Sequence, residues 1–269
     1  MHAHTTYNDA VHAALHLLAD DMGCEIPPSD TSQERAYLRA LMNLREPAPL
    51  PDGYLEAEAI VLDTERERQG TATWEDATAS STHPRMALWR GDITRLEVDA
   101  IVNAANSALL GCRAPGHTCI DNAIHSAAGL ELRQACAEVM AERTRGDGPS
   151  GFPTGEAVLT PGFHLPSRFV IHTVGPIVNG ELTDEHREAL ACSYQRCLEE
   201  AAAHGLNTVA FCCISTGVFG FPQEEAARIA VSTVADFLES DPRGASEVRV
   251  IFDVFGDHDE ALYRALLRL

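Results

Sequence analysis

From Arg85 to the C-terminus, short apolar runs alternate with longer stretches of helical periodicity, and that alternation admits few folds. The spacing predicts strands over 86–90, 100–103, 156–160, 169–174, 208–214 and 247–254. It predicts helices over 119–143, 183–204, 223–238 and 257–269. The first of these helices places Ile120, Ile124, Ala127, Ala128 and Leu132 on one apolar side. Apolar strands separated by helices imply a mixed, mostly parallel sheet covered on both faces. In such a sheet ligands bind beyond the C-terminal ends of the strands, so the segments just after each strand are where chemistry is expected.

Residues 1–84 read differently. Val11, Leu15 and Leu18 recur at helical spacing over 9–22, and Leu38, Leu41, Met42 and Leu44 over 32–44, with Thr31 or Ser32 as the cap. Pro47, Pro49 and Pro51 end that second helix, and 53–68 reads as a third. The polar stretch 70–84 reads as a loop. The expectation is an N-terminal helical extension on an α/β domain spanning 85–269.

Composition narrows the partners. Forty acidic and 20 basic residues give a formal charge of −20. Such a field repels nucleic acid backbones, so no nucleic-acid partner is expected. An anionic ligand would then have to be held by backbone amides and helix N-termini. No apolar run approaches the roughly 18 residues of a membrane span, and the first residues lack the basic head and apolar body of an export signal. A cytoplasmic, reducing location is expected, with the eight Cys as thiols. Cys212 and Cys213, inside the apolar run 209–214, read as strand core.

Three of the following segments come after strands, and the fourth, at 154–156, opens one. Gly91-Asp92-Ile93-Thr94 offers a carboxylate able to accept from an exocyclic amine, or simply a helix cap. Asn103 and Asn106, in Val102-Asn-Ala-Ala-Asn106, offer donors and acceptors for sugar hydroxyls. Ser215-Thr216-Gly217-Val218-Phe219-Gly220 precedes a helix and holds no basic residue, so a backbone cradle is the only anion site it can form. Thr154-Gly155-Glu156 permits close backbone approach and a polar contact, or is an ordinary turn. His172, late in its strand, reads as a satisfied core histidine.

The most distinctive segment is Cys112-Arg-Ala-Pro-Gly-His117-Thr-Cys119. Two thiols and an imidazole within eight residues are zinc ligands by type. A structural zinc site closes with four protein ligands, whereas a catalytic one keeps a position open. Three ligands therefore point to chemistry. His125 is a poor fourth, because the helix carries it away from the turn. Asp121 and Asn122 follow directly and place a carboxylate and an amide beside the metal.

In order, GDIT, VNAAN, IDNAIHSAAG, TGEAVLTPG, VIHTVGP and STGVFGFP resemble a macrodomain over residues 85–269. GCRAPGHTC, in place of the usual glycine-rich loop, resembles the zinc-dependent branch of microbial protein-ADP-ribose hydrolases, and residues 40–47 resemble that branch's N-terminal extension. The resemblance implies a three-layer α/β/α fold with an ADP-ribose cleft. Asp92 and Ile93 would hold the adenine, and Thr154, Gly155 and Glu156 would line the cleft. Ser215, Thr216, Gly217, Val218 and Phe219 would bind the diphosphate. Asn106 and Asp121 would act at the distal ribose, with Zn²⁺ on Cys112, His117 and Cys119. It implies removal of mono-ADP-ribose from modified proteins. Other readings of the same cleft are an ADP-ribose reader without catalysis, an O-acetyl-ADP-ribose deacetylase, and a zinc-stabilised interaction protein.

Overall fold

The computed structural model describes residues 6–143, 151–240 and 248–269. Three helices come first: α1 (Tyr7–Met22), α2 (Thr31–Leu44) and α3 (Tyr54–Gln69). Reciprocal hydrogen bonds between Thr6 and Asp9 start α1, and between Asp30 and Gln33 start α2. The cap of α2 is thus Asp30, not Thr31 or Ser32, because the Asp carboxylate accepts from the Gln33 N–H while Gln33 reaches back. Val11, Leu15, Leu18, Leu38, Met42 and Val61 form one apolar cluster, and Leu130 from the α/β domain is part of it. The extension and the sheet therefore share a seam of buried apolar surface, worth about 25 cal/mol for each Å² removed from water.

The remaining elements are β1 (Thr78–Ala79), β2 (Met86–Arg90), β3 (Ala100–Ala104), α4 (Ile120–Ala128), α5 (Leu130–Arg143), β4 (Ala157–Pro161), β5 (Phe169–Thr173), α6 (Asp184–Ala203), β6 (Thr208–Phe211), α7 (Gln223–Ser240), β7 (Arg249–Val254) and α8 (Asp257–Leu267). The strands form one sheet in the order β1-β2-β7-β6-β3-β5-β4. The five central strands are parallel, and β1 and β4 run antiparallel at its two edges. Helices α6, α7 and α8 pack side by side, while α4 lies along β3 and α5 along β4, giving three layers. Val102, Ile171, Val209, Ile251 and their neighbours are buried on both faces, as near-continuous apolar strands require.

Three further expectations are corrected. The segment 70–84 is not all loop: Ala72 bridges Leu96, and β1 pairs with β2, because Thr78 and Ala79 extend the sheet by one edge strand. The helix 119–143 is two helices. Gly129 breaks it at φ +90°, where a Cβ would lie 2.8 Å from Glu58 Oε2. Glu58 Oε1 accepts from the Leu130 N–H and the Tyr54 hydroxyl, so an acid of the extension caps α5. Finally, β6 ends at Phe211, leaving Cys212 and Cys213 just past the strand, where the Cys213 thiol faces the Asp253 carbonyl. The first residue of the expected strand 247–254 lies outside the described residues, as do residues 1–5 at the N-terminus. No described helix is long and apolar enough to cross a membrane.

Replacing Gly129 with Ala should cost about 1–3 kcal/mol, since the residue would be held in a left-handed conformation against a buried carboxylate. Thermal denaturation checks it, and an unchanged midpoint contradicts this account of the break.

Candidate functional site

The parallel strands deliver their following segments to one edge of the sheet, and the site is assembled there. At the end of β2, Gly91 donates its N–H to the Val254 carbonyl, tying the turn to β7. A Cβ on Gly91 would fall inside the Trp89 ring, so only glycine fits. Asp92 follows and caps a 3₁₀ turn. Its Oδ1 accepts from the Thr94 N–H at 3.0 Å and the Thr94 hydroxyl at 2.7 Å, which leaves Oδ2 for another donor. Both readings of this residue, cap and acceptor, are thus compatible in one side chain. Ile93 is buried beside it.

Asn103 and Asn106, at and just beyond the end of β3, converge on Asp121 in the first turn of α4. Asn103 Nδ2 donates to Asp121 Oδ1 at 2.8 Å, and Asn106 Nδ2 donates to Asp121 Oδ2 at 3.2 Å. Asn106 is also spent on its own loop, donating to the Gly111 carbonyl and accepting from the Ala108 N–H. Asp121 is 4% exposed. Burial pushes its carboxyl up to about 6, against the pull of the Asn103 hydrogen bond. It is therefore largely ionised at neutral pH yet a stronger base than a solvated Asp.

Beneath it lies a second polar layer. Asn103 Nδ2 also faces His172 Nδ1 at 3.1 Å, and His172 Nε2 faces Thr160 Oγ1 at 2.9 Å and Cys136 Sγ at 3.6 Å. Burial holds His172 down to about 3, so the ring is neutral. This is the satisfied core histidine expected. His125 is buried with both ring nitrogens unpartnered, and lies 3.6 Å from Asp121 rather than in the Cys112–Cys119 turn.

Between β3 and α4 the chain makes the excursion that carries the thiols. Gly111 (φ +77°) and Gly116 (φ +69°) take left-handed conformations that bend it. Cys112 Sγ stands 3.4 Å from His117 Nδ1, and the donor atoms of Cys112, His117 and Cys119 all lie within 4.8 Å of one another. Zinc bond lengths of about 2.3 Å to sulfur and 2.0–2.1 Å to nitrogen, at tetrahedral angles, put sulfur and nitrogen about 3.6 Å apart. The three side chains are half-buried, and their donor set fits the ion. Burial, with the neighbouring Cys112 thiol adding to it, pushes the Cys119 thiol up to about 11. A bound cation reverses that preference, because coordinated sulfur is deprotonated. Cys119 is also the residue that caps α4, two positions before Asp121.

The excursion is braced from the extension. Asn122 Nδ2 faces the carbonyls of Cys112 and Ala114 and the Asn43 amide oxygen, and Arg39 donates to Asn122 Oδ1. Arg133 spans the same seam, from the Leu110 carbonyl to those of Met42 and Arg45. These contacts were not legible in the sequence, where Asn43 and Arg39 are ordinary helix-surface residues.

The loop after β6 turns sharply at Ser215 (φ +65°), with Gly175 so close that a Cβ there would overlap the Ser215 hydroxyl. Phe221 closes the turn by donating to the Ser215 carbonyl, and Phe219 accepts from the Val178 N–H. Among the described residues the N–H groups of Thr216, Gly217, Val218 and Phe219 have no partner, as an anion cradle requires. Val218 is 78% exposed and Phe255, directly after β7, 79%. Phe255 was missed because one aromatic after a strand carries no pattern. Thr154, Gly155 and Glu156 sit at the β4 edge. Gly155 donates to the Val174 carbonyl, and Glu156 pairs with Arg143 at 3.0 Å. Thr154 bridges Val174 of the neighbouring strand end, and Gly155 packs close to Cys192 of α6.

Asp253, in β7, was read only as part of a strand. It is buried with Oδ1 unpartnered, and burial together with nearby Asp92 raises its carboxyl well above the usual range.

The sequence pattern of the Macro domain matches residues 102–230. A protein-ADP-ribose hydrolase of Treponema medium is 44% identical over 242 residues, covering 89% of this chain and 90% of that one. A protein-ADP-ribose hydrolase of Staphylococcus aureus is 41% identical, covering 93% and 91%. Among solved structures, an Oceanobacillus iheyensis macrodomain with ADP superposes with a TM-score of 0.60 at 41% identity, over 68% of this chain and 90% of that one. A Trypanosoma brucei macrodomain in complex with ADP-ribose gives 0.63 at 31% identity, over 85% and 94%.

A carboxyl whose folded pKa is raised costs nothing while it is protonated in both states, below the unfolded value of about 3.9, and costs more as pH rises above it. Asp253→Asn should therefore be stabilising at pH 8 and nearly neutral at pH 4. Melting curves at the two pH values check this, and an equal or opposite shift contradicts the buried-acid reading.

Proposed function

The chain belongs to the Macro domain family, and on that premise we propose that it is a hydrolase removing mono-ADP-ribose from modified proteins. The observation that carries the reading is Asp121. It is a buried carboxylate with raised basicity, fixed by two Asn side chains, two residues after the last member of a half-buried sulfur-and-nitrogen clamp. A reader that only binds the nucleotide gains nothing from such a base, and a purely structural metal site takes four protein ligands. The names and overlap of the relatives support the same activity.

In this reading Asp92 Oδ2 accepts from the adenine amino group, and the unpartnered N–H groups of Thr216 to Phe219 hold the diphosphate without any cation, as the −20 charge demands. Val218 and Phe255 cover the nucleotide from opposite loops. The distal ribose then lies toward Asp121 and Asn106. Asp121 takes a proton from the attacking water, whose oxygen bonds to C1″ as the bond from C1″ to the protein side chain breaks and its electron pair departs on the side-chain heteroatom. Asn106 and Asn103 keep the carboxylate aimed while it gains that proton. Cys112, His117 and Cys119 would hold Zn²⁺. There the ion would supply a Lewis acid toward water or a ribose hydroxyl.

Asp121→Asn keeps the shape and one of the two Asn contacts but not the base, because its amide nitrogen cannot accept where the second carboxylate oxygen did. It should lower release of ADP-ribose from a mono-ADP-ribosylated protein by about 10²–10⁴-fold, with affinity for free ADP-ribose changed only a few-fold. Turnover assays with calorimetry on the same variant check it, and near-native release contradicts the assignment. Cys119→Ser should bind substoichiometric zinc by elemental analysis and lose release in parallel. Full activity in the metal-free variant removes zinc from the proposal.

A further inference from the structure

Helix α1 carries two imidazoles one turn apart. His12 and His16 stand four residues from each other, the spacing that sets two side chains side by side on one face of a helix. Both are exposed, and their ring centroids lie 4.1 Å apart with the planes tilted by 47°. From the neighbouring helix α2, Glu34 reaches the same spot, with its Oε1 3.0 Å from His12 Nδ1. One donor atom from each of the three side chains lies within 4.8 Å of the other two. The His12–Glu34 pair alone would be an ordinary surface contact of little worth. It gives His16 no role, and His16 makes no hydrogen bond among the described residues.

The donor set says what would join them. Two imidazole nitrogens and a carboxylate oxygen suit Zn²⁺, and two His four apart on one helical face is a zinc-binding spacing. Bonds of about 2.0–2.2 Å at tetrahedral angles put such donors about 3.4 Å apart. Both imidazoles are exposed and free to turn about their side-chain torsions, so the remaining distance closes without moving the backbone. The electrostatics favour a cation. The chain carries a net charge of −20, and Asp9, three residues before His12, and Asp20, four after His16, add negative charge along that side of α1. We propose that His12, His16 and Glu34 form a zinc site on the surface of the extension, holding one exchangeable Zn²⁺ with water completing its shell and tying α1 to α2. The site shares no residue with the Cys112–Cys119 clamp and does not depend on it.

Zinc is titrated by calorimetry into the full chain after chelator treatment, in a Cys119→Ser background that disables the clamp. The site predicts one saturable equivalent there, weakened at least tenfold when His16→Gln or Glu34→Gln is added. Far-UV circular dichroism checks that these surface variants are folded. In the same Cys119→Ser background, free zinc at a hundredfold over the measured Kd should raise the melting midpoint by about 5 °C, and the rise should vanish with His16→Gln. Anomalous scattering at the zinc edge from wild-type crystals locates the ion without any substitution, and a peak between α1 and α2 is expected. Absence of a saturable zinc event in Cys119→Ser, full affinity with either added substitution, or scattering confined to the Cys112–Cys119 turn overturns the proposal.

Discussion

The pairing of Asp121 with Asn103 and Asn106 is the contact on which the site depends. It joins the end of β3 to the start of α4 and so closes the excursion that carries Cys112, His117 and Cys119. Because Cys119 caps the helix whose first turn holds Asp121, clamp and carboxylate cannot move independently. A buried, hydrogen-bonded carboxylate is costly to leave half satisfied. The two Asn side chains meet that need while His172, itself neutral, fixes the orientation of Asn103 from below.

The extension is part of that arrangement rather than an ornament. Glu58 caps α5, Asn43 meets Asn122, and the Arg133 guanidinium reaches the carbonyls that end α2. Asn122 in turn holds two carbonyls of the thiol-bearing loop. A chain of hydrogen bonds thus runs from the N-terminal helices to the clamp, parallel to the shared apolar seam at Leu130.

What the sequence disclosed follows from how local each signal is. The central strands were legible because burial on both faces leaves unbroken runs of Val, Ile and Ala. The convergence of Cys112, His117 and Cys119 was legible because all three fall in one short segment, and the sharp turn after β6 because Gly217 and Gly220 lie close together in it. The direction of β4 was not legible, since a five-residue strand reads alike whichever way it pairs. Nor was the break at Gly129, where helical periodicity continues across a glycine that only tertiary contact with Glu58 requires. Asp253 hid inside an apolar strand.

The central claim is that a three-ligand clamp with one open position stands beside Asp121. Zinc K-edge absorption spectroscopy on the purified chain, with and without ADP-ribose, tests it most directly. The account predicts one zinc per chain bound by two sulfurs, one imidazole nitrogen and one exchangeable oxygen, with the oxygen shell altered by the nucleotide. A spectrum with four protein ligands and no response to ADP-ribose, or a chain that takes up no zinc, contradicts it.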